Sequence, residues 1–248
     1  GNNMMKINNR KSERGSALVY ILIAIALLAA LTVTFMEPSS QQTSSQSGFR
    51  TATEVKSQVD VIRSSVQECI LRYSRGDTSI PNGSSEAEEG ANISYPIDPN
   101  SSYLPAASQS GDQLVRNIRC PGNNPGPPSQ NDHQLIFGGN TGKYLPAAPS
   151  LFGEWQWYNG NDGVFFWMST DKSDAYLKSS LEKLDENYSE CEVDVIDTQG
   201  GSAVNLDSDS TITCLADSLC FRVWMITNST ALHADNGTPA GCGANVPS

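Results

Sequence analysis

Six cysteines and two histidines hold most of the reactive chemistry in this chain, and their spacing decides what kind it is. Cys69, Cys120, Cys191, Cys214, Cys220 and Cys242 make no C-x-x-C pair, and His133 and His233 stand far apart, so zinc-ligand spacing is absent. An even number of scattered cysteines behind an apolar leader fits disulfides formed in an oxidising compartment. The expected grouping joins Cys69 to Cys120 and leaves the C-terminal four to pair among themselves.

Catalytic patterns are weak. "GGNTGKY" (138–144) has the flavour of a phosphate loop, but its glycine spacing is one short and Tyr144 stands where Ser or Thr is needed. "SLEK" (180–183) fits S-x-x-K without companion motifs, on a helix that reads as exposed. Neither G-x-S-x-G nor H-E-x-x-H occurs, and two isolated histidines leave little for general-base work. No enzyme and no cofactor are expected. One loop, "DTQGGSAVNLDSDS", offers hard oxygens from Asp197, Asn205, Asp207 and Asp209 that suit Ca²⁺ in type but not in EF-hand spacing. It reads equally well as a solvated turn.

Charge narrows the partners. The net charge is −11, and four of the 16 basic residues (Lys6, Arg10, Lys11, Arg14) fall in the first fifteen positions beside Glu13 alone. The rest of the chain therefore carries about −14, which repels phosphate backbones and speaks against nucleic-acid binding by overall charge. Room remains only for a small local basic patch.

The elements that must position these residues begin with "SALVYILIAIALLAALTVTF". The run from Ser16 to Met36 carries no charge and is long enough to cross a hydrocarbon core as a helix. The basic leader would hold the N-terminus in the cytoplasm, and no small-x-small cleavage site follows the run. "GNNMM" at the start is compatible with translation from Met4 or Met5. Pro38 is expected to kink the helix, with "SSQQTSSQSG" as a polar, flexible patch. Helical spacing then resumes, with Val55, Val59, Ile62, Val66, Ile70 and Tyr73 on one stripe and a stop at Gly76–Asp77.

Beyond the helix, residues 77–112 are dense in Ser, Pro, Asn and Gly without a period and read as a long loop, a slack connector in preference to a displayed binding loop. "QLVRNIRC" is of uncertain type and "PGNNPGPPSQ" breaks the chain again. "HQLIFG", "EWQWY" and "GVFFWM" read as strands, the last two joined by a hairpin at "NGNDG". Trp155 and Trp157 make an aromatic strand face that is expected to be core rather than a sugar platform. Leu177, Leu181, Leu184 and Tyr188 mark a further helix capped by Ser173 or Asp171. "CEVDVID", "STITC" and "CFRVWMIT" supply three more strands.

The N-terminus carries a resemblance. "RKSERG" followed by "SALVYILIAIALLAALTVTF" is similar to the start of type IV prepilin-like proteins, whose short basic leader ends in Gly and is removed by a prepilin peptidase. The resemblance covers about the first 75 residues and implies a cut between Gly15 and Ser16. It also implies N-methylation of the new end and a long helix, kinked near a Pro and half buried in a C-terminal domain. The fifth residue after the cut is Tyr20 where the family has Glu, and the first is Ser16 where Phe or Met is usual. That Glu pairs with a neighbour's N-terminal amine, and a buried ion pair can fix register, so its absence points to a minor pilin or a type II secretion pseudopilin.

The implied fold class is α+β: a long N-terminal helix, membrane half plus amphipathic half, packed on a disulfide-linked antiparallel sheet with one further helix. The implied segments are leader 1–15, filament-core helix 16–37, amphipathic continuation 38–76, loop region 77–130 and β-rich domain 131–248. Implied partners are other pilin-like subunits, prepilin peptidase and the bacterial inner membrane, with the globular domain periplasmic before assembly into a periplasmic or extracellular filament. Any surface or protein ligand is unknown from the sequence. Two rivals stay open: a signal-anchored binding or adhesion domain that never polymerises, and an anchored enzyme built around His133 or His233.

Overall fold

Alternation along four strands sets the architecture. The computed structural model describes residues 19–28, 40–77, 80, 92–121, 133–189, 191–227 and 231. Gly15, Ser16, Pro38, His233 and Cys242 lie outside the described residues. The chain divides into two units, residues 1–46 and 47–248. In the first, residues 19–28 form helix α1. Among the described residues no helix is long and apolar enough to cross a membrane.

The protein is α+β. Helix α2 runs Ser40–Arg72 and α3 Ala175–Asp185; the strands are β1 Arg119–Cys120, β2 Gln134–Leu135, β3 Gln156–Gly160, β4 Gly163–Thr170, β5 Val193–Asp197, β6 Val204–Asn205, β7 Thr213–Cys214 and β8 Leu219–Thr227. The main sheet is antiparallel in the order β3-β4-β8-β5, while β1-β2 and β6-β7 make two small ladders. Strand side chains alternate between faces. Trp157, Val164, Phe166, Met168, Val193, Val195, Leu219, Phe221 and Val223 join one core with α2 and α3. Tyr158, Phe165, Trp167, Ile196, Cys220 and Trp224 join a second core on the opposite face, closed by Leu206, Ile212 and Cys214. A sheet buried on both faces is why its strands read as nearly continuous apolar runs.

The helical stripe behaves as its spacing predicts. Val55, Val59, Ile62 and Val66 are fully buried, and Ile70 and Tyr73 pack partly against the same core. The patch "SSQQTSSQSG" is not a break, because α2 already begins at Ser40. Gln and Ser cost a helix only tenths of a kcal/mol each (about 0.5 at most) relative to Ala, which tertiary packing of the adjoining stripe outweighs. Termination falls in the turn after Arg72. Gly76 takes φ +59 and donates its N–H to Tyr73 O at 2.8 Å. A Cβ there would stand 1.9 Å from Ile93 O, so only glycine fits.

The hairpin also forms. Trp157 pairs with Phe166 and Gly160 with Gly163, leaving Asn161 and Asp162 as a two-residue turn. Gly163 has φ +127, and a Cβ would meet Ile226 O of β8 at 2.1 Å. Both tryptophans belong to the core: Trp155 Nε1 donates to Gln58 Oε1 at 2.7 Å and Trp157 Nε1 to Pro96 O at 2.8 Å. At α3 the N-cap is Asp174, not Ser173 or Asp171, and its side chain makes no capping bond.

The connector from 77 to 112 is not slack where it is described. Ile80, Ile97 and Leu104 form a third core with Ile93 and Tyr103 against them. Buried Asp98 accepts Asn159 N–H at 2.9 Å, and Asn159 Nδ2 donates to Asn92 O and Pro96 O. These bonds satisfy backbone groups without a helix or ladder, which is why no period announced them. Further on, Asp112 Oδ1 accepts from Leu114 N–H at 3.2 Å and from Asn117 Nδ2 at 2.7 Å, steering the chain into β1. Burial pushes the Asp112 carboxyl up, but these bonds and Ser110 more than offset it and hold it below the usual carboxylate value.

Two stability outcomes follow. Ile62→Ala should cost about 2–5 kcal/mol in urea denaturation, whereas Leu71→Ala, at a position 83% exposed, should stay within about 0.5 kcal/mol; equal losses would mean the stripe is misassigned. Because the folded carboxyl of Asp112 is depressed, its stabilisation is present above the unfolded value near 4 and is lost as pH falls through the folded one. Asp112→Asn should therefore destabilise at pH 7 and matter less and less below about pH 4; a penalty constant from pH 7 to 2.5 contradicts that role.

Candidate functional site

The last two turns of α2 present Ser65, Glu68, Cys69 and Arg72 at i, i+3, i+4 and i+7, a spacing that puts them on one helix face. Opposite stand Arg119 and Cys120 of β1, Gln134 and Leu135 of β2, and the turn from Gly138 to Lys143. Together they line a cleft of about 510 Å³. The Cys69–Cys120 disulfide ties its two walls, as the sequence expects. In the chain-entropy account a crosslink spanning 51 positions contributes about 4 kcal/mol.

Charge in the cleft is mostly positive. Lys143 Nζ is ion-paired to Glu68, and Arg72 Nη2 stands 3.6 Å from the same carboxylate. The Lys143 hydrogen bond first, then its charge and that of Arg72, hold Glu68 below the usual carboxylate value. Arg119 Nη1 donates to His133 O at 2.9 Å, locking β1 to the start of β2. The "GGNTGKY" segment closes on itself instead of opening to a phosphate: Gly138 N–H donates to Lys143 O at 2.7 Å, and Thr141 Oγ1 donates to Gly138 O. No helix follows it, and its lysine is turned to Glu68.

His133 departs from the loop-like setting its sequence context implies. Its Nε2 lies 2.7 Å from Asp77 Oδ2, with both side chains fully buried. Nδ1 is also buried and has no hydrogen-bond partner. His133 is one of the residues lining the cleft, and the pair joins the chain beyond α2 to the start of β2. An enzymatic reading asks for a cleft gathering acids around this histidine; the cleft is lined by His133 and Glu68, with Asp77 against the imidazole and both side chains of the pair buried. Ser180 of "SLEK" is likewise buried, not exposed, and donates Oγ to Leu177 O within α3.

The oxygen-rich loop does not gather. Asp207 accepts Ile212 N–H at 2.8 Å and Thr211 N–H at 3.2 Å, so it braces the β6–β7 turn. Asp197 takes Lys178 Nζ at 2.8 Å and Gln199 N–H at 2.9 Å. Asn205 donates to Ser210 Oγ, and Asp209 accepts from Asn161. Among the described residues no group of three or more His, Cys, Asp or Glu side chains is arranged to hold a metal. Cys214 pairs with Cys220, and Cys191 is disulfide-bonded as well.

In α1 the apolar side chains face outward on every side. Exposure runs from 50% at Ile23 to 71% at Tyr20. Sequence reasoning missed Asp77, which read as a helix stop, and missed the meeting of Arg72, Arg119 and Lys143, whose separations in the chain give no local signal.

No protein-family model, curated protein or solved structure matches this chain.

The buried pair can be tested by a double-mutant cycle. Asp77→Ala leaves Nε2 without its acceptor and should cost about 1–3 kcal/mol. His133→Ala should add less in the Asp77→Ala background than alone. Strict additivity would mean that the two side chains stabilise the fold separately.

Proposed function

We propose that this protein is a minor pilin-like or pseudopilin subunit, assembled through its N-terminal helix into a type IV pilus or type II secretion filament that displays the α+β domain. One observation carries the reading: the helix at 19–28 exposes apolar side chains all round, while the stripe on α2 is apolar on one side only and buried. A helix apolar on every side needs lipid or other apolar helices around it. The leader before it supplies the processing chemistry. Prepilin peptidase removes residues 1–15, the helix from Ser16 waits in the inner membrane, and burial against neighbouring helices draws it into the filament core.

Tyr20 lacks the carboxylate that would pair with a neighbour's N-terminal amine. A subunit without it enters best at or near the tip, where no register must be matched above it. Immunogold labelling spaced along the filament length would sink the tip assignment while leaving the subunit assignment standing. The cleft favours a second reading, an anchored binding domain that stays in the membrane as a monomer. The two readings differ in processing.

Mass spectrometry of the mature N-terminus separates them. From cells with the peptidase, a chain starting at N-methylated Ser16 is expected, with the leader retained when the peptidase gene is deleted. An intact leader in both strains overturns the filament reading and leaves the anchored domain.

A further inference from the structure

We propose that the cleft beside the Cys69–Cys120 disulfide binds an acidic saccharide, its carboxylate taken by Arg72 and its sugar ring laid against Tyr73. This does not depend on how the protein is anchored. The first argument is charge. In a chain of net charge −11, the cleft lining brings together Arg72, Arg119 and Lys143 against Glu68. Counting Asp77 behind the imidazole as a second negative charge still leaves the site positive. The C-terminal end of α2 opposes this with about half a negative charge, which is too little to reverse the sign.

The second argument is availability. Lys143 is engaged by Glu68, and Arg119 holds His133 O. Arg72 is different: its only ion-pair contact among the described residues is at 3.6 Å with side-chain exposure of 65%, beyond hydrogen-bonding length. A planar guanidinium fork matches a carboxylate with two parallel bonds.

The third argument is the lining. Gln134 and Asn140 present exposed amides at the rim, and Tyr73 is half-buried beside them, a set suited to hydroxyl groups and a pyranose face. The volume, about 510 Å³, lies in the range of small-molecule sites, roughly 300–1,000 Å³. An extended peptide takes its affinity from apolar anchors in pockets, and here only Leu135 and Ile136 offer such a wall. A nucleic acid brings a long run of phosphates to a surface that repels it.

The test is isothermal titration of the full chain in non-ionic detergent with trigalacturonate, with maltotriose as the uncharged counterpart and the peptide Gly-Gly-Glu as a carboxylate without sugar. Trigalacturonate should bind with a dissociation constant of about 1 mM or tighter, and maltotriose about tenfold more weakly. Raising NaCl from about 50 to 300 mM should weaken the acidic sugar and leave the neutral one unchanged. Arg72→Gln, which removes the charge at an exposed position without setting a second acid beside Glu68, should weaken trigalacturonate about tenfold while keeping the urea midpoint of the parent. Failure of trigalacturonate to bind at about 10 mM, equal affinity for maltotriose or for Gly-Gly-Glu, or indifference to Arg72→Gln would each overturn the proposal.

Discussion

Covering one face of a four-stranded sheet is the constraint on which the rest of this domain depends. Val164, Phe166, Met168, Phe221 and Val223 form a continuous apolar surface, and it needs a partner of matching length. The α2 stripe supplies it through Val55, Val59, Ile62 and Val66, each fully buried and each contributing about 1.5–3 kcal/mol by removal from water. Once α2 is laid there, its C-terminal turn is fixed in space. The disulfide to β1, the Gly76 turn and the Asp77–His133 pair all start from that point, so the cleft is a consequence of how the core is closed.

The opposite face solves a different problem. Arg222 on the central strand β8 is fully buried, with Nε 2.8 Å from Asp194 Oδ2, its register partner on β5. Trp224 Nε1 donates to the same oxygen at 2.8 Å, and the guanidinium lies over the Trp224 and Phe165 rings. Arg222 Nη1 also donates to Leu206 O, which pins the β6–β7 flap down as the cover of the second core. A buried charge is tolerated only when paired and fully hydrogen-bonded. Burial here draws the guanidinium's proton affinity down, opposed by Asp194. The acidic residues Asp162 and Asp207 belong to the same scaffold: Ser208 bonds Asp162 through N–H and Oγ. Asp162 and Asp207 in this way brace the loops beside the second core.

The two units differ in where their apolar side chains lie. Residues 47–248 bury apolar cores on both faces of the sheet and carry a positively charged cleft in an acidic chain. The N-terminal helix keeps its apolar surface outside. The buried His133–Asp77 pair ties the chain beyond α2 to the start of β2.

Periodicity alone determined the amphipathic helix, the β3–β4 hairpin, the strands β5 and β8 and the α3 stripe, because burial on one face or both writes itself into residue order at 3.6 or 2. Composition likewise determined the even cysteine count and the apolar, charge-free N-terminal run. Residues 92–112 hid their packing because side chains such as Asp98 and Asn159 satisfy the backbone there, and such bonds leave no repeat. The cap of α3 fell on Asp174 because the entering backbone geometry, not the best capping side chain, chose it. Arg72, Arg119 and Lys143 lie 47 and 24 positions apart in turn, and His133 is 56 from Asp77. Only the closing of α2 onto the sheet brings such distant residues to one cleft, so the cleft and its sign were decided by tertiary structure.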